Sequence, residues 1–169
     1  MSMHAKVAKV PQSDDAGDFL GAYLETLSMV ERLHRLLLDV VKDEFERLGI
    51  IDINSVQALL LFNIGDNELT AGELKTRGYY QGSNVSYNLK KLVECGYMHH
   101  QKCEVDRRAV RVRLTEKGRG IRTIIADLFQ RHSDGITGRN VLGEISLSEI
   151  NVGLRRMERY WSDQIRYIY

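Results

Sequence analysis

The chain is poor in the residues that would settle its class quickly. It has two cysteines, one proline (Pro11) and one tryptophan in 169 residues, and its 24 Lys plus Arg are nearly balanced by 23 Asp plus Glu. Two cysteines do not make the disulfide framework of a small secreted domain. The longest uninterrupted apolar run is Ala58 to Phe62, far short of the roughly 20 residues that a membrane-spanning helix needs. The opening MSMHAKVAKVPQSDDAGD holds no apolar stretch that could serve as a signal peptide. The expectation is therefore a soluble, cytoplasmic protein with no membrane partner. Gly-x-Ser-x-Gly, His-Glu-x-x-His, the P-loop and the dinucleotide fingerprint are all missing, so no catalytic residues and no cofactor are expected. What is present is an apolar content of 43% beside 28% charged residues, enough for one ordinary globular domain or two small ones.

The net charge of +1 looks unfavourable for a polyanionic partner, but a total hides the distribution. From Gly72 to Arg122 there are twelve basic residues against five acidic ones, a net +7, while the flanks carry twelve basic and eighteen acidic residues, a net −6. A basic middle between acidic ends is an electrostatic footprint for nucleic acid.

Periodicity divides the chain. Residues 1–17 are polar and aperiodic and read as a flexible tail. From Asp18, a helix N-cap, Tyr23, Leu27, Val30, Leu37, Val41, Phe45 and Leu48 recur at helical spacing with His34 on the same stripe. Stopped by Gly49, this helix would be about 45 Å long, too long for a small domain to cover, so it needs a partner surface. Asn54-Ser-Val-Gln57 has capping-box spacing and opens a second helix to about Asn63. Its Leu59, Leu60, Leu61 and Phe62 point all around the axis, which predicts burial on several sides or the wall of a cavity. Thr70-Ala-Gly-Glu73 is a further capping box, for a short helix ending near Gly78, and Ser83 to Cys95 is the next helix.

The period then changes to two. Val110, Val112 and Leu114 alternate with Arg111 and Arg113, a strand with one buried face and one basic face. Tyr97 to Cys103 is its expected partner, and Glu104 to Arg108 the charged turn of a β-hairpin. Thr115 caps a helix carrying Ile121, Ile124, Ile125, Leu128 and Phe129; a connection containing Gly135, Gly138 and Gly143 follows, and Ser146 opens a last helix with apolar residues from Leu147 to Ile168.

Two short helices and a hairpin make a winged helix-turn-helix. The predicted fold is mainly α with a small β-hairpin wing: 51–132 as the DNA-binding domain, 18–50 and 133–169 as a helical dimerisation region. On the second helix of the motif, Val85, Leu89, Leu92 and Val93 form the core side; Ser83, Asn84, Tyr87, Lys90 and Lys91 occupy the other. Hydroxyl, amide and ammonium groups there suit base edges and phosphates in a major groove. At the hairpin tip, Arg107 or Arg108 suits a narrow minor groove, with Asp106 orienting the neighbouring guanidinium.

The stretch from Asp106 to Gly118, DRRAVRVRLTEKG, resembles the wing signature of MarR-type transcriptional regulators, and LTAGEL (69–74) with SNVSYNLKKLVECG (83–96) resembles the family's helix-turn-helix. The resemblance runs in element order over roughly residues 19–169. It implies a homodimer made by the first and last helices, bound to a pseudo-palindromic operator in double-stranded DNA. It also implies a pocket for a small-molecule effector between the dimerisation helices and the DNA-binding lobe, for which Val41, Leu59 and Phe62 are the candidate walls. NSVQALLLFNIG and GYYQGSNVS are in turn similar to the subgroup that regulates L,D-transpeptidase and cell-wall stress genes.

Other readings stay open at this point. A metal-sensing regulator would use His99, His100 and Cys103, yet on a strand His99 and Cys103 share a face from which His100 points away, and no second cluster has ligand spacing, so no metal is expected. A redox-responsive regulator would use Cys95 or Cys103, and a winged helix serving only protein contacts is the third alternative.

Overall fold

The computed structural model describes residues 13–76, 83–102 and 110–168. Its helices are α1 (Ser13–Leu48), α2 (Ser55–Ile64), α3 (Ala71–Thr76), α4 (Ser83–Glu94), α5 (Glu116–Gly138) and α6 (Leu147–Ile168). Its strands are β1 (Leu69–Thr70), β2 (Met98–Lys102) and β3 (Val110–Leu114), forming an antiparallel sheet in the order β1-β3-β2. The fold is thus mainly α with a small β wing, and the described residues divide into two units between Ile125 and Ala126.

The helix signals in the sequence are realised as bonds. At α2 the Asn54 carboxamide accepts from the Gln57 N–H at 2.9 Å while the Gln57 carboxamide accepts from the Asn54 N–H at 3.2 Å, so two end donors are satisfied reciprocally. At α3 the Glu73 N–H donates to the Thr70 hydroxyl at 3.1 Å and the Thr70 N–H to the Glu73 carboxylate at 2.6 Å. Helix α4 ends on Gly96, whose φ of +76° lets the Tyr97 N–H reach back to the Leu92 carbonyl at 2.8 Å and its own N–H to that of Val93 at 3.0 Å. Those two bonds satisfy carbonyls that the helix end would leave open.

Three elements depart from expectation. Helix α1 begins at Ser13, five residues before Asp18. Its 36 residues span about 54 Å. Helix α5 runs through Gly135 to Gly138, because an isolated glycine costs a helix only about 1 kcal/mol and does not stop it. Leu69–Thr70, read in the sequence only as the start of a cap, also adds the third strand, pairing Leu69 with Val112 and Thr70 with Arg111.

The core of the first unit closes around α2, whose Ala58, Leu60, Leu61 and Ile64 are fully buried, together with Val41, Phe45, Leu74, Leu92 and Tyr97. Helix α2 touches α1, α4 and β3, which is why its apolar residues point in every direction. Of the long stripe of α1, Val41 and Phe45 are covered while Val30, Leu37 and Leu48 are exposed, and off the stripe Leu20, Leu24, Leu33 and Leu36 are each more than half exposed. On α6, Leu147, Trp161 and Ile165 are likewise exposed. Among the described residues, no helix is long and apolar enough to cross a membrane.

Candidate nucleic-acid interface

Helix α4 presents the division that its sequence predicts. Val85, Leu89 and Leu92 are buried, while Asn84, Ser86, Tyr87, Lys90 and Lys91 are exposed. Tyr87 on this face is 60% exposed. Val93, expected in the core, is half-buried, because it lies at the edge of the buried stripe. The side chain of Ser83, and all of Asp106, Arg107, Arg108 and Cys103, lie outside the described residues.

Both lysines of this face engage one carboxylate. Lys91 Nζ donates to Glu94 Oε2 at 3.0 Å and Lys90 Nζ lies 3.8 Å from Glu94 Oε1. The hydrogen bond to Glu94 holds the Lys91 ammonium above its ordinary range, and the same bond holds the Glu94 carboxyl below its own. Exposed pairs of this kind contribute little, so a phosphate can take over either lysine at small cost. Glu94 was not singled out in the sequence, although its spacings of three and four residues from the lysines are the ordinary signal for such pairs.

The wing adds a second basic surface. In the β2–β3 register His99 faces Arg113 and Gln101 faces Arg111, and all four are exposed; Met98, Val112 and Leu114 on the opposite face are buried. Beside it opens a polar cleft of about 320 Å³ whose lining includes Asp66, His99, Arg113 and Arg119, with Asp66 paired to Arg122 at 2.6 Å. Val41, Leu59 and Phe62 do not line this cleft. Val41 and Leu59 are core residues and Phe62 is half-buried. Among the described residues no group of three His, Cys, Asp or Glu side chains is placed to hold a metal ion.

The root of the wing is clamped. The buried Tyr97 donates its hydroxyl to Asp52 Oδ1 at 2.5 Å, and Lys117 donates to Asp52 Oδ2 at 2.8 Å and to the Cys95 carbonyl at 3.0 Å. The Lys117 ammonium also lies 3.9 Å from the centre of the Tyr97 ring, a cation over an aromatic face. Lys117 and Tyr97 hold the Asp52 carboxyl below the usual carboxylate range. Burial, reinforced by the bond to Asp52, pushes the Tyr97 phenol up to about 12. At the same place Thr115 donates its N–H to the Tyr97 carbonyl at 3.0 Å and its hydroxyl to the Gly96 carbonyl at 2.7 Å. The strands of the wing therefore leave and return at one fixed point.

Comparison with known proteins agrees with this geometry. The winged helix DNA-binding domain family matches residues 53–118. The exopolysaccharide II synthesis transcriptional activator ExpG of Rhizobium meliloti (strain 1021) is 36% identical over 157 residues, covering 90% of this chain and 78% of that protein. Among solved structures, Streptococcus pneumoniae FabT in complex with DNA shares the fold at a TM-score of 0.56 and 24% identity, over 84% of this chain and 99% of that one. Staphylococcus aureus MarR in complex with salicylate and kanamycin does so at a TM-score of 0.62 and 19% identity, over 89% and 97%. The chain belongs with the activator ExpG to the winged helix DNA-binding transcriptional regulators, and it has the fold of the MarR-type structures.

Proposed function

We propose that the protein works as a homodimer that binds a pseudo-palindromic operator, with its DNA affinity set by a small-molecule effector. The observation that carries the reading is the exposed polar face of α4, where Asn84, Tyr87, Lys90 and Lys91 stand clear of a buried stripe, next to a wing whose Arg111 and Arg113 face outward. Ser83 and Asn84 at the start of the helix read base edges, the lysines take phosphates, and Arg107 or Arg108 at the wing tip enters the minor groove with Asp106 as its orienting partner.

The dimer is supported by the exposed leucines of α1 and the exposed apolar residues of α6, a quantity of apolar surface that monomers rarely leave in water. Two copies joined through 18–50 and 133–169 would set their recognition helices about one turn of DNA apart, roughly 34 to 36 Å. Effector control is supported by the family and by the small molecules solved with Staphylococcus aureus MarR. Val41, Leu59 and Phe62 remain the proposed walls, with Phe62, the half-buried one, as the side an effector reaches first. An effector that favours one helix spacing over another shifts the population that fits the operator.

The test is a salt titration of DNA binding. Replacing Arg107 and Arg108 with Ala should weaken binding to a cognate duplex and lower the slope of log affinity against log salt by up to about 0.9 per lost phosphate contact, with the dimer intact in sedimentation. Unchanged affinity and slope would overturn the wing assignment.

A further inference from the structure

Asn88 lies half-buried on α4, at the border between its buried stripe and its exposed face. Its Oδ1 accepts a hydrogen bond at 3.3 Å from Nε2 of Gln57. Gln57 is 9% exposed, one of the two buried polar residues of the described chain. Both ends of its carboxamide are engaged: Oε1 accepts from the Asn54 N–H at 3.2 Å to close the α2 capping box, and Nε2 donates to Asn88. Two residues earlier, the Ser55 hydroxyl donates to the Leu38 carbonyl of α1 at 2.8 Å. The first turn of α2 is thus tied to α1 on one side and to the recognition helix on the other.

We propose that Gln57 is a positioning residue for base recognition: through Asn88 it fixes the roll of α4 about its own axis, and with it the register of Asn84 and Tyr87 on the bases. The physical case rests on direction. Val85, Leu89 and Leu92 hold α4 to the core by apolar packing, which is non-directional and tolerates a small roll. A roll of about 10° carries side-chain atoms at the helix rim, some 5 to 6 Å from the axis, through about 1 Å. Hydrogen bonds to base edges are made within a few tenths of an ångström of their best length, so that roll decides whether they form. Of the bonds described for α4, Gln57 to Asn88 is the side-chain bond that leaves the helix for the core, and a directional bond supplies the restraint that packing lacks. This inference rests on the sequence-specific reading above.

The variants separate the bond from the cap and from the charge. Gln57→Glu keeps the capping-box acceptor, and Asn88 can turn its amide to donate to the new carboxylate. Asn88→Asp keeps an acceptor for the Gln57 amide. Only the double variant sets two carboxylates against each other and loses the bond. The probe is a duplex selected from genomic fragments by the wild-type protein, compared at one salt concentration with the same duplex carrying one changed base pair in each half-site. The readout is the ratio of the two affinities, which neither a lower folded fraction nor a uniform loss of phosphate attraction moves. Both single variants should keep the wild-type ratio within about twofold, and the double variant should lose about tenfold of it, the discrimination that one base pair ordinarily carries. An undiminished ratio in the double variant overturns the inference, as does a full loss in Asn88→Asp alone, which would make Asn88 a base-contacting residue. Equal affinity of the wild-type protein for the two duplexes overturns the sequence-specific reading instead.

Discussion

Gly118 and Gly120 sit two residues apart in α5, and the structure assigns them opposite responses to the same substitution. A Cβ at Gly118 would stand 2.1 Å from the Tyr97 carbonyl oxygen, whereas one at Gly120 meets nothing within 4 Å. Contact distances between carbon and a carbonyl oxygen begin near 3.3 Å, so in Gly118→Ala the two must part by more than 1 Å. That displacement breaks the 3.0 Å bond from the Thr115 N–H to the Tyr97 carbonyl, at the point where the wing is clamped. Leaving a buried carbonyl without its partner costs about 1 to 3 kcal/mol, to which the disturbed packing of Tyr97 adds. Replacing glycine by alanine in a helix contributes at most about 1 kcal/mol in the other direction. The clash wins at 118 and is absent at 120. Gly118→Ala should therefore lose about 2 kcal/mol while Gly120→Ala gains up to about 1 kcal/mol, a separation of roughly 10 °C in melting temperature for a chain of this size. Urea titration and thermal melts followed by circular dichroism measure both. Equal stability of the two variants would refute the close approach of α5 to the wing root.

Glu94→Gln removes the negative charge that Lys90 and Lys91 share; DNA should be bound about threefold more tightly at low salt, and an unchanged affinity in filter binding would show that neither lysine reaches a phosphate. Asp52 has its folded pKa depressed by Lys117 and Tyr97, so its contribution to stability is present above the ordinary carboxylate range and lost as pH falls through the lowered value. Asp52→Asn should flatten the acid limb of a stability–pH profile, and an acid limb identical to wild type would contradict the clamp. Tyr97, raised to about 12, acts on the alkaline side: its contribution is complete below about pH 10 and is lost toward its folded value. Under the proposed effector control, Phe62→Ala, titrated with a small molecule selected by screening for release of the wild-type protein from DNA, should move the half-maximal concentration by about threefold or more with effector-free affinity kept; an unaltered titration, or loss of the fold, would assign Phe62 to the core alone.

Much of this architecture is legible in the chain because its signals are local. The capping boxes at Asn54–Gln57 and Thr70–Glu73 declare α2 and α3, and the alternation from Val110 to Leu114 declares both faces of β3. The polar face of α4 follows from the wheel alone, since Val85, Leu89 and Leu92 had to be buried together. What stayed hidden depends on partners distant in sequence. Strand β1 is two residues long and exists because β3 offers it an edge. The bonds from Asp52 to Tyr97 and Lys117 cross 45 and 65 residues, and that from Gln57 to Asn88 crosses 31. No periodicity announces such pairs: the first two tie the root of the wing to the segment between α1 and α2, and the third ties α4 to the first turn of α2.

In the proposed complex, two copies of this winged helix read one symmetric operator. Selection of bound fragments from genomic DNA, followed by footprinting of the recovered sequence, measures site, symmetry and half-site spacing together. The expected site is a pseudo-palindrome with half-sites about one helical turn apart, protected by a dimer. Recovery of no enriched sequence, or of an asymmetric site covered by a single chain, would contradict it.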